Sequence, residues 1–248
     1  MDLGLADRVY VVTGGTKGLG FAAARCLVDD GARVVVSSRS AESVEAAVAS
    51  LGASSSVGVV ADNADEATPG RLVDAALSTW GRLDGALVSV GGPPGTPALG
   101  ATDEQWRAAF ESVFLGAVRT ARALVPHLGD GAAVGLVLST SVKSPLSGIE
   151  ISNGLRPGLA MWAKQLADEL GPRGVRVFSL LPGRVTTDRT LALTPDPADR
   201  ERIAATIPLR RMGEPAEFGR VAAFLLSPAA SYLTGLVVPV DGGALRAL

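Results

Sequence analysis

Along the chain, short continuous runs of Val, Leu, Ile and Ala alternate with longer stretches in which apolar residues recur at helical spacing. The short runs, at 8–12, 33–37, 57–61, 83–90, 133–139, 175–181 and 236–240, read as strands. Between them the 3.6-residue spacing predicts helices over 18–30, 40–51, 65–80, 102–128, 156–170 and 215–227. Strands without polar alternation are buried on both faces, which is the signature of a parallel sheet covered by crossover helices. The expected fold is therefore α/β: a single Rossmann-type doubly wound parallel sheet of about seven strands, with helices on both faces and residues 1–248 in one domain. Ligands on such sheets bind beyond the strand C-termini, so the loops there are the place to look for chemistry. The one long segment without a strand, 186–214, is rich in Pro, Asp and Arg and leaves the sheet at such an end. It reads as a substrate lid.

Composition narrows the partners. At 248 residues a chain can hide roughly 70–75% of its unfolded surface. Although 47% of residues are hydrophobic, charges interrupt every apolar run before the ~18 residues that a membrane span needs. The first eight residues lack the basic-then-apolar order of a signal peptide, and the expected location is the cytoplasm. One cysteine, Cys26, and one histidine, His127, exclude an internal disulfide and a Cys/His metal cluster, so no metal is expected. Cys26 falls on the apolar side of the first helix, and His127 at the end of a long one. With 23 basic and 25 acidic residues and no basic block there is no footprint for nucleic acid, which leaves a small molecule as the partner.

The first strand runs into Thr13-Gly14-Gly15-Thr16-Lys17-Gly18-Leu19-Gly20, which opens the first helix. Glycines at Gly14, Gly18 and Gly20 let the backbone turn tightly and let a diphosphate approach, while the helix N-terminus supplies N–H groups and partial positive charge. The loop is expected to bind through Gly14, Thr16, Lys17, Gly18, Leu19 and Gly20. Sites for NAD place a carboxylate near the end of the second strand to hold the ribose 2′-hydroxyl. This chain has Ser37-Ser38-Arg39 there. No carboxylate repels a 2′-phosphate, and Arg39, with Ser38 beside it and Lys17 in the loop, can pair with one, so the expected cofactor is NADP(H).

The spacing Gly-x-x-x-Gly-x-Gly resembles that of the short-chain dehydrogenase/reductase family, in particular its 3-oxoacyl-ACP-reductase-like members, and the likeness covers nearly the whole chain. Asp62-Asn63 after the third strand resembles the family's adenine-side pair. Pro182-Gly183-Arg184-Val185-Thr186-Thr187 resembles its nicotinamide-side turn, which implicates Pro182, Gly183, Val185 and Thr187. The segments Pro208–Pro215, Leu233-Thr234-Gly235 and Val240-Asp241-Gly242-Gly243 match as well.

At the catalytic centre the pattern breaks. Family reductases deliver hydride while a tyrosine, tuned by a lysine four residues later, protonates the developing alkoxide. A serine about a dozen residues earlier holds the carbonyl, and an asparagine supports a relay water. The resemblance aligns Ser139 with the serine, but Ser152 with the tyrosine, Arg156 with the lysine and Val113 with the asparagine. Neither tyrosine of the chain, Tyr10 in the first strand or Tyr232 near the C-terminus, stands at the family position. A serine hydroxyl is a far weaker acid than a phenol, and arginine stays protonated. Arg156 is expected instead to hydrogen-bond the nicotinamide ribose or stabilise an oxyanion, and Lys143 to be the nearby group whose pKa falls on burial. Glu150 and Ser141 are expected to border the pocket. Pro157 implies that the helix starts near Arg156 or that its first turn is distorted.

The expected function is an NADPH-dependent oxidoreductase that reduces a carbonyl or activated double bond of a small molecule at this atypical centre. Two alternatives stand beside it. One is a non-redox isomerase, dehydratase or lyase of a biosynthetic pathway that uses Ser139, Ser152 and Arg156; the other is a catalytically silent cofactor-binding subunit. The resemblance further implies a homodimer or homotetramer built on helices 102–128 and 156–170 and the last strand.

Overall fold

The computed structural model describes residues 2–89 and 91–247; Val90, expected to end the fourth strand, lies outside them, as do Met1 and Leu248. Among the described residues, seven strands form one sheet: β1 (Val9–Thr13), β2 (Arg33–Ser38), β3 (Ser56–Val60), β4 (Gly85–Ser89), β5 (Ala133–Val137), β6 (Arg176–Pro182) and β7 (Leu236–Val240). Every pairing is parallel, in the order β3-β2-β1-β4-β5-β6-β7. The chain reverses its direction of travel across the sheet between β1 and β4, and this leaves a crevice beyond their C-terminal ends.

Side-chain alternation splits the core into two layers. Val9 and Val11 face one layer with Leu72, Leu136 and Leu159. Tyr10 and Val12 face the other with Leu27, Leu180 and Phe218. The first layer is covered by α3 (Thr68–Trp80), α4 (Asp103–Ala109), α5 (Gly116–Leu124) and α6 (Glu150–Leu170), the second by α1 (Gly18–Asp29), α2 (Ala41–Leu51) and α9 (Pro215–Leu226). Cys26 is half-buried against the second layer. No helix among the described residues is long and apolar enough to cross a membrane.

Two elements differ from expectation. The helix expected over 102–128 is interrupted: a π-helical turn, Phe110–Leu115, joins α4 to α5, and the segment closes in a 3-10 turn, Val125–His127, around Pro126. Phe110 and Phe114 stack across the wide turn at 5.2 Å. In place of a start near Arg156, α6 begins at Glu150 and runs through Pro157. The earlier start brings Ile151 and Leu155 into the core, and this burial offsets the ~3 kcal/mol that an interior proline costs. The 186–214 segment, expected only to lack a strand, carries two helices, α7 (Asp188–Leu193), capped by Thr187, and α8 (Pro197–Thr206), capped by Asp196. An isolated bridge between Val185 and Gly213 ties its two ends together, with Thr186 N donating to Gly213 O and Gly213 N to Arg184 O, each at 2.9 Å.

Phe178 in β6 is 1% exposed, and its ring covers Gly135 of β5 so closely that a Cβ there would lie 2.6 Å from it. Phe178→Ala should lower unfolding free energy by about 3–5 kcal/mol in urea denaturation. A loss under about 1 kcal/mol would mean that the two core layers are not packed as described.

Candidate functional site

The crevice between β1 and β4 is a groove of about 590 Å³ lined by Gly14, Lys17, Ser38, Arg39, Asp62 and Asn63, with Gly92 and Pro93 on the β4 side. Thr13 fixes its floor: its hydroxyl donates to Ser89 O at 2.8 Å and accepts from Ser89 N at 2.9 Å, which staples the ends of β1 and β4. Gly14 then turns at φ +58°, where a Cβ would lie 2.9 Å from Ser89 O. Gly20 lies against the Gly14 carbonyl with no room for a side chain, so α1 packs tightly behind the loop. Lys17 is the N-cap of α1 in extended conformation with no side-chain cap, and the first turn carries no acid. The N–H groups of that turn are left for a ligand, and the local charge favours an anion. Thr16 and Leu19 are half-buried within the loop, Leu19 packing on the core behind it.

Lys17 and Arg39 are exposed, and the side chain of neither makes an ion pair or hydrogen bond among the described residues. The Asp62 carboxylate accepts from Ala64 N at 3.0 Å, and the Asn63 backbone packs on Gly116 of α5. Of the nicotinamide-side residues, Thr187 comes across to the glycine loop: its Cγ2 lies 3.5 Å from where a Gly18 Cβ would be. Pro182 ends β6, Gly183 N donates to Val240 O at 3.0 Å, and Val185 is buried in the bridge to Gly213. These three shape the turn that presents Thr187.

Beyond β5, Ser139 is half-buried and caps a short 3-10 turn, its hydroxyl accepting from Ser141 N at 3.1 Å. Ser152 and Arg156, one helical turn apart on α6, come together: Arg156 Nε donates to Ser152 Oγ at 2.9 Å. Arg156 Nη1 donates to Val137 O at 2.9 Å, the last carbonyl of β5, and to Leu138 O at 3.1 Å just beyond it. The side chain is 5% exposed. Burial and then the charge of Arg189 push its pKa down to about 10, which leaves it a cation at neutral pH. With Nε and Nη1 committed to the protein's own oxygens, the expected hydrogen bond to a ribose is left to the remaining nitrogen and the expected oxyanion stabilisation to the charge of the group.

Lys143 is exposed, so the burial on which its expected role depends is absent. Ser141 Oγ and both carboxylate oxygens of Glu150 are buried with no hydrogen-bond partner among the described residues. Helical spacing puts Glu150 on the flank of α6 that carries Gly154, which packs on Trp106, and not on the face of Ser152. Val113 is 1% exposed in the core. Tyr232 is wholly exposed in the turn before β7. Tyr10 is sealed between sheet and α9, its hydroxyl donating to Leu226 O at 3.3 Å, and burial pushes its pKa up to about 12.

One contact that the sequence left open is supplied by Arg189 of α7. Its Nη1 donates to Gly92 O at 3.1 Å and its Nη2 to Pro93 O at 3.2 Å, tying the 186–214 segment to the loop after β4. The only signal for it in the sequence is its place two residues after Thr187.

Comparison with known proteins places the fold among solved reductases. A sequence family described as enoyl-(acyl carrier protein) reductase matches residues 14–244. The dehydrogenase/reductase SDR family member 4 of Oryctolagus cuniculus is 36% identical over 248 residues, covering 97% of this chain and 94% of that protein. L-Sorbose reductase from Gluconobacter frateurii, solved with NADPH and L-sorbose, superposes with a TM-score of 0.93 at 30% identity over all of both chains. A short-chain dehydrogenase/reductase from Brucella melitensis superposes at 0.94 with 26% identity, again over all of both chains.

Two outcomes follow from these contacts. Arg156→Met leaves Val137 O, Leu138 O and Ser152 Oγ without their donor and should cost about 1–3 kcal/mol or more in urea denaturation, with Arg156→Lys recovering only part; unchanged stability would contradict the hydrogen bonds. For Tyr10, the folded pKa of about 12 lies above the unfolded value near 10. Its neutral form therefore stabilises the fold below about pH 10, and this contribution, of order 2–3 kcal/mol, is lost as pH rises from about 10 to 12. Tyr10→Phe should flatten that part of the stability profile; an identical profile would contradict it.

Proposed function

The chain belongs to the short-chain dehydrogenase/reductase family of oxidoreductases, and from this premise we propose that it reduces a carbonyl or activated double bond of a small molecule with NADPH. One observation carries the reading: Lys17 and Arg39 stand uncommitted on the groove beside an uncapped helix N-terminus, with Ser37 and Ser38 where an NAD site would hold a carboxylate. The NADPH complex of the Gluconobacter frateurii reductase supports it. The residues fit the cofactor as follows. The Gly14–Gly20 loop, including Thr16 and Leu19, would hold its diphosphate, and Ser38 and Arg39 its 2′-phosphate. Asp62 and Asn63 would border the adenine, and Thr187, presented by Pro182, Gly183 and Val185, the nicotinamide side.

When bound, NADPH supplies a hydride and leaves as NADP⁺, while the substrate gains the hydride at carbon and one proton from water. Ser139 donates a hydrogen bond to the substrate oxygen. Ser152, held by Arg156 Nε, can donate its own proton outward because its oxygen is already accepting. Arg156 acts on developing negative charge through its field rather than by proton transfer. The absence of a phenol from this centre favours substrates whose reduced anion is stabilised well enough to take its proton from water. It also supports a second reading, a cofactor-binding subunit that turns nothing over. We infer further a cytoplasmic homodimer or homotetramer, supported by exposed Phe110 and Met161 on the helices named above and by β7 as an edge strand.

With NADPH and a panel of ketones, quinones and enones, loss of reduced-nicotinamide absorbance should be seen, and Ser139→Ala should slow it about 100-fold or more. Arg39→Ala should weaken NADPH about tenfold or more while leaving NADH within about twofold. NADPH bound without turnover of any substrate would favour the silent subunit, and equal binding of NADPH and NADH would overturn the cofactor assignment.

A further inference from the structure

Two guanidinium groups, those of Arg156 and Arg189, are anchored on the backbone carbonyls where β4 and β5 end and their loops begin, and neither forms an ion pair among the described residues. Ser89 pairs with Val137 across the sheet, so the loops that leave β4 and β5 start side by side. Arg156 is anchored on Val137 O and Leu138 O, and Arg189 on Gly92 O and Pro93 O, one on each of these exits. Among the described residues neither has a carboxylate within ion-pair distance. Among the described residues Arg189 is the charged group that acts on Arg156, and the effect is repulsive. Asp188, beside Arg189 on the first turn of α7, is exposed and forms no ion pair with it. Two like charges at the edge of a desolvated site, one almost wholly buried, are costly without a counter-charge, and proteins pair such groups or bind an anion between them.

The two arginines differ in what they can offer. Arg156 is sealed and contributes its field. Arg189 is exposed, on the capped first turn of a short helix, and holds only two loop carbonyls that water can satisfy equally well. The diphosphate of a dinucleotide has its own place at the uncapped start of α1, beyond β1, whereas Arg156 is anchored at the end of β5 beside Ser152 and Arg189 holds the Gly92 and Pro93 carbonyls on the β4 side of the groove. We propose that the substrate carries a carboxylate, which Arg189 takes up in place of the Gly92 and Pro93 carbonyls while Arg156 lies beneath it as a fixed positive charge. This deepens the oxidoreductase reading above and rests on it: the substrate class becomes oxo acids or unsaturated acids rather than neutral ketones or sugars. Arg189 then also couples substrate to the 186–214 segment, since the residue that binds the carboxylate sits in the first helix of that segment.

The test uses calorimetry on the full chain in two steps. NADP⁺ is titrated first; if it does not bind, the oxidoreductase reading falls and this proposal falls with it, before any acid has been added. The NADP⁺-loaded protein is then titrated with pyruvate, 2-oxobutyrate and benzoylformate and with the methyl ester of each. At least one acid should bind about tenfold or more tightly than its ester, as expected for a charge-assisted pair. Arg189→Gln should erase that difference and leave the NADP⁺ affinity within about twofold. Arg189→Lys should restore part of the preference for the acid, which a purely structural role in tying the loop would not do. If no acid outbinds its ester, the proposal is overturned. If Arg189→Gln weakens NADP⁺ about tenfold and leaves the acid–ester difference unchanged, the arginine serves the cofactor diphosphate and the proposal is likewise overturned.

Discussion

Because all seven strands run the same way, each strand's C-terminal end opens on the same edge of the sheet, and the chain must return to the other edge through a crossover after every strand but the last. That constraint gathers residues far apart in sequence: the glycine loop after β1, Arg39 after β2, Asp62 after β3, Gly92 after β4, Ser139 after β5 and Thr187 after β6. The reversal of strand order between β1 and β4 leaves the crevice, and the Thr13–Ser89 staple sets its depth. The site is thus a consequence of topology, and its chemistry depends on which side chains occupy those few loops.

The residues around β5 show how one substitution reorganises such a loop cluster. A lysine would present a single ammonium on a flexible stem, whereas arginine has a planar fork with five donors. At Arg156 that fork reaches the carbonyls of Val137 and Leu138 and the hydroxyl of Ser152 together, so the side chain becomes part of the floor of the site. It carries its charge with it. Among the described residues this cation has no acid partner; under the proposed function it would supply the electrostatic half of what a tyrosine–lysine pair does, with the proton coming from water.

Most of the sheet was legible in the sequence because parallel strands are continuous apolar runs, and β7 was expected with its observed ends. The groove was legible as well, since Gly14, Lys17, Ser38, Arg39, Asp62 and Asn63 all line it. What escaped were features decided by tertiary packing. Pro157 argued locally against helix, yet burial of Ile151 and Leu155 carried α6 through it. The π turn at Phe110–Leu115 keeps helical periodicity on either side and so leaves no break in the pattern. Periodicity could not say that Arg156 turns inward to backbone carbonyls, that Lys143 stays exposed, or that Arg189 reaches across to Gly92, because each depends on what another loop offers.

The proposed function requires hydride transfer at a centre with no titrating phenol. It is tested most directly by the pH dependence of kcat/KM for NADPH-dependent reduction of an accepted substrate between pH 6 and 9. The profile is predicted to be flat, because Arg156 keeps its charge throughout that range and the proton comes from water. A sigmoidal fall with a midpoint inside the range, in phase with loss of a proton from a residue at the site, would show that a titrating acid drives the reaction and would contradict it.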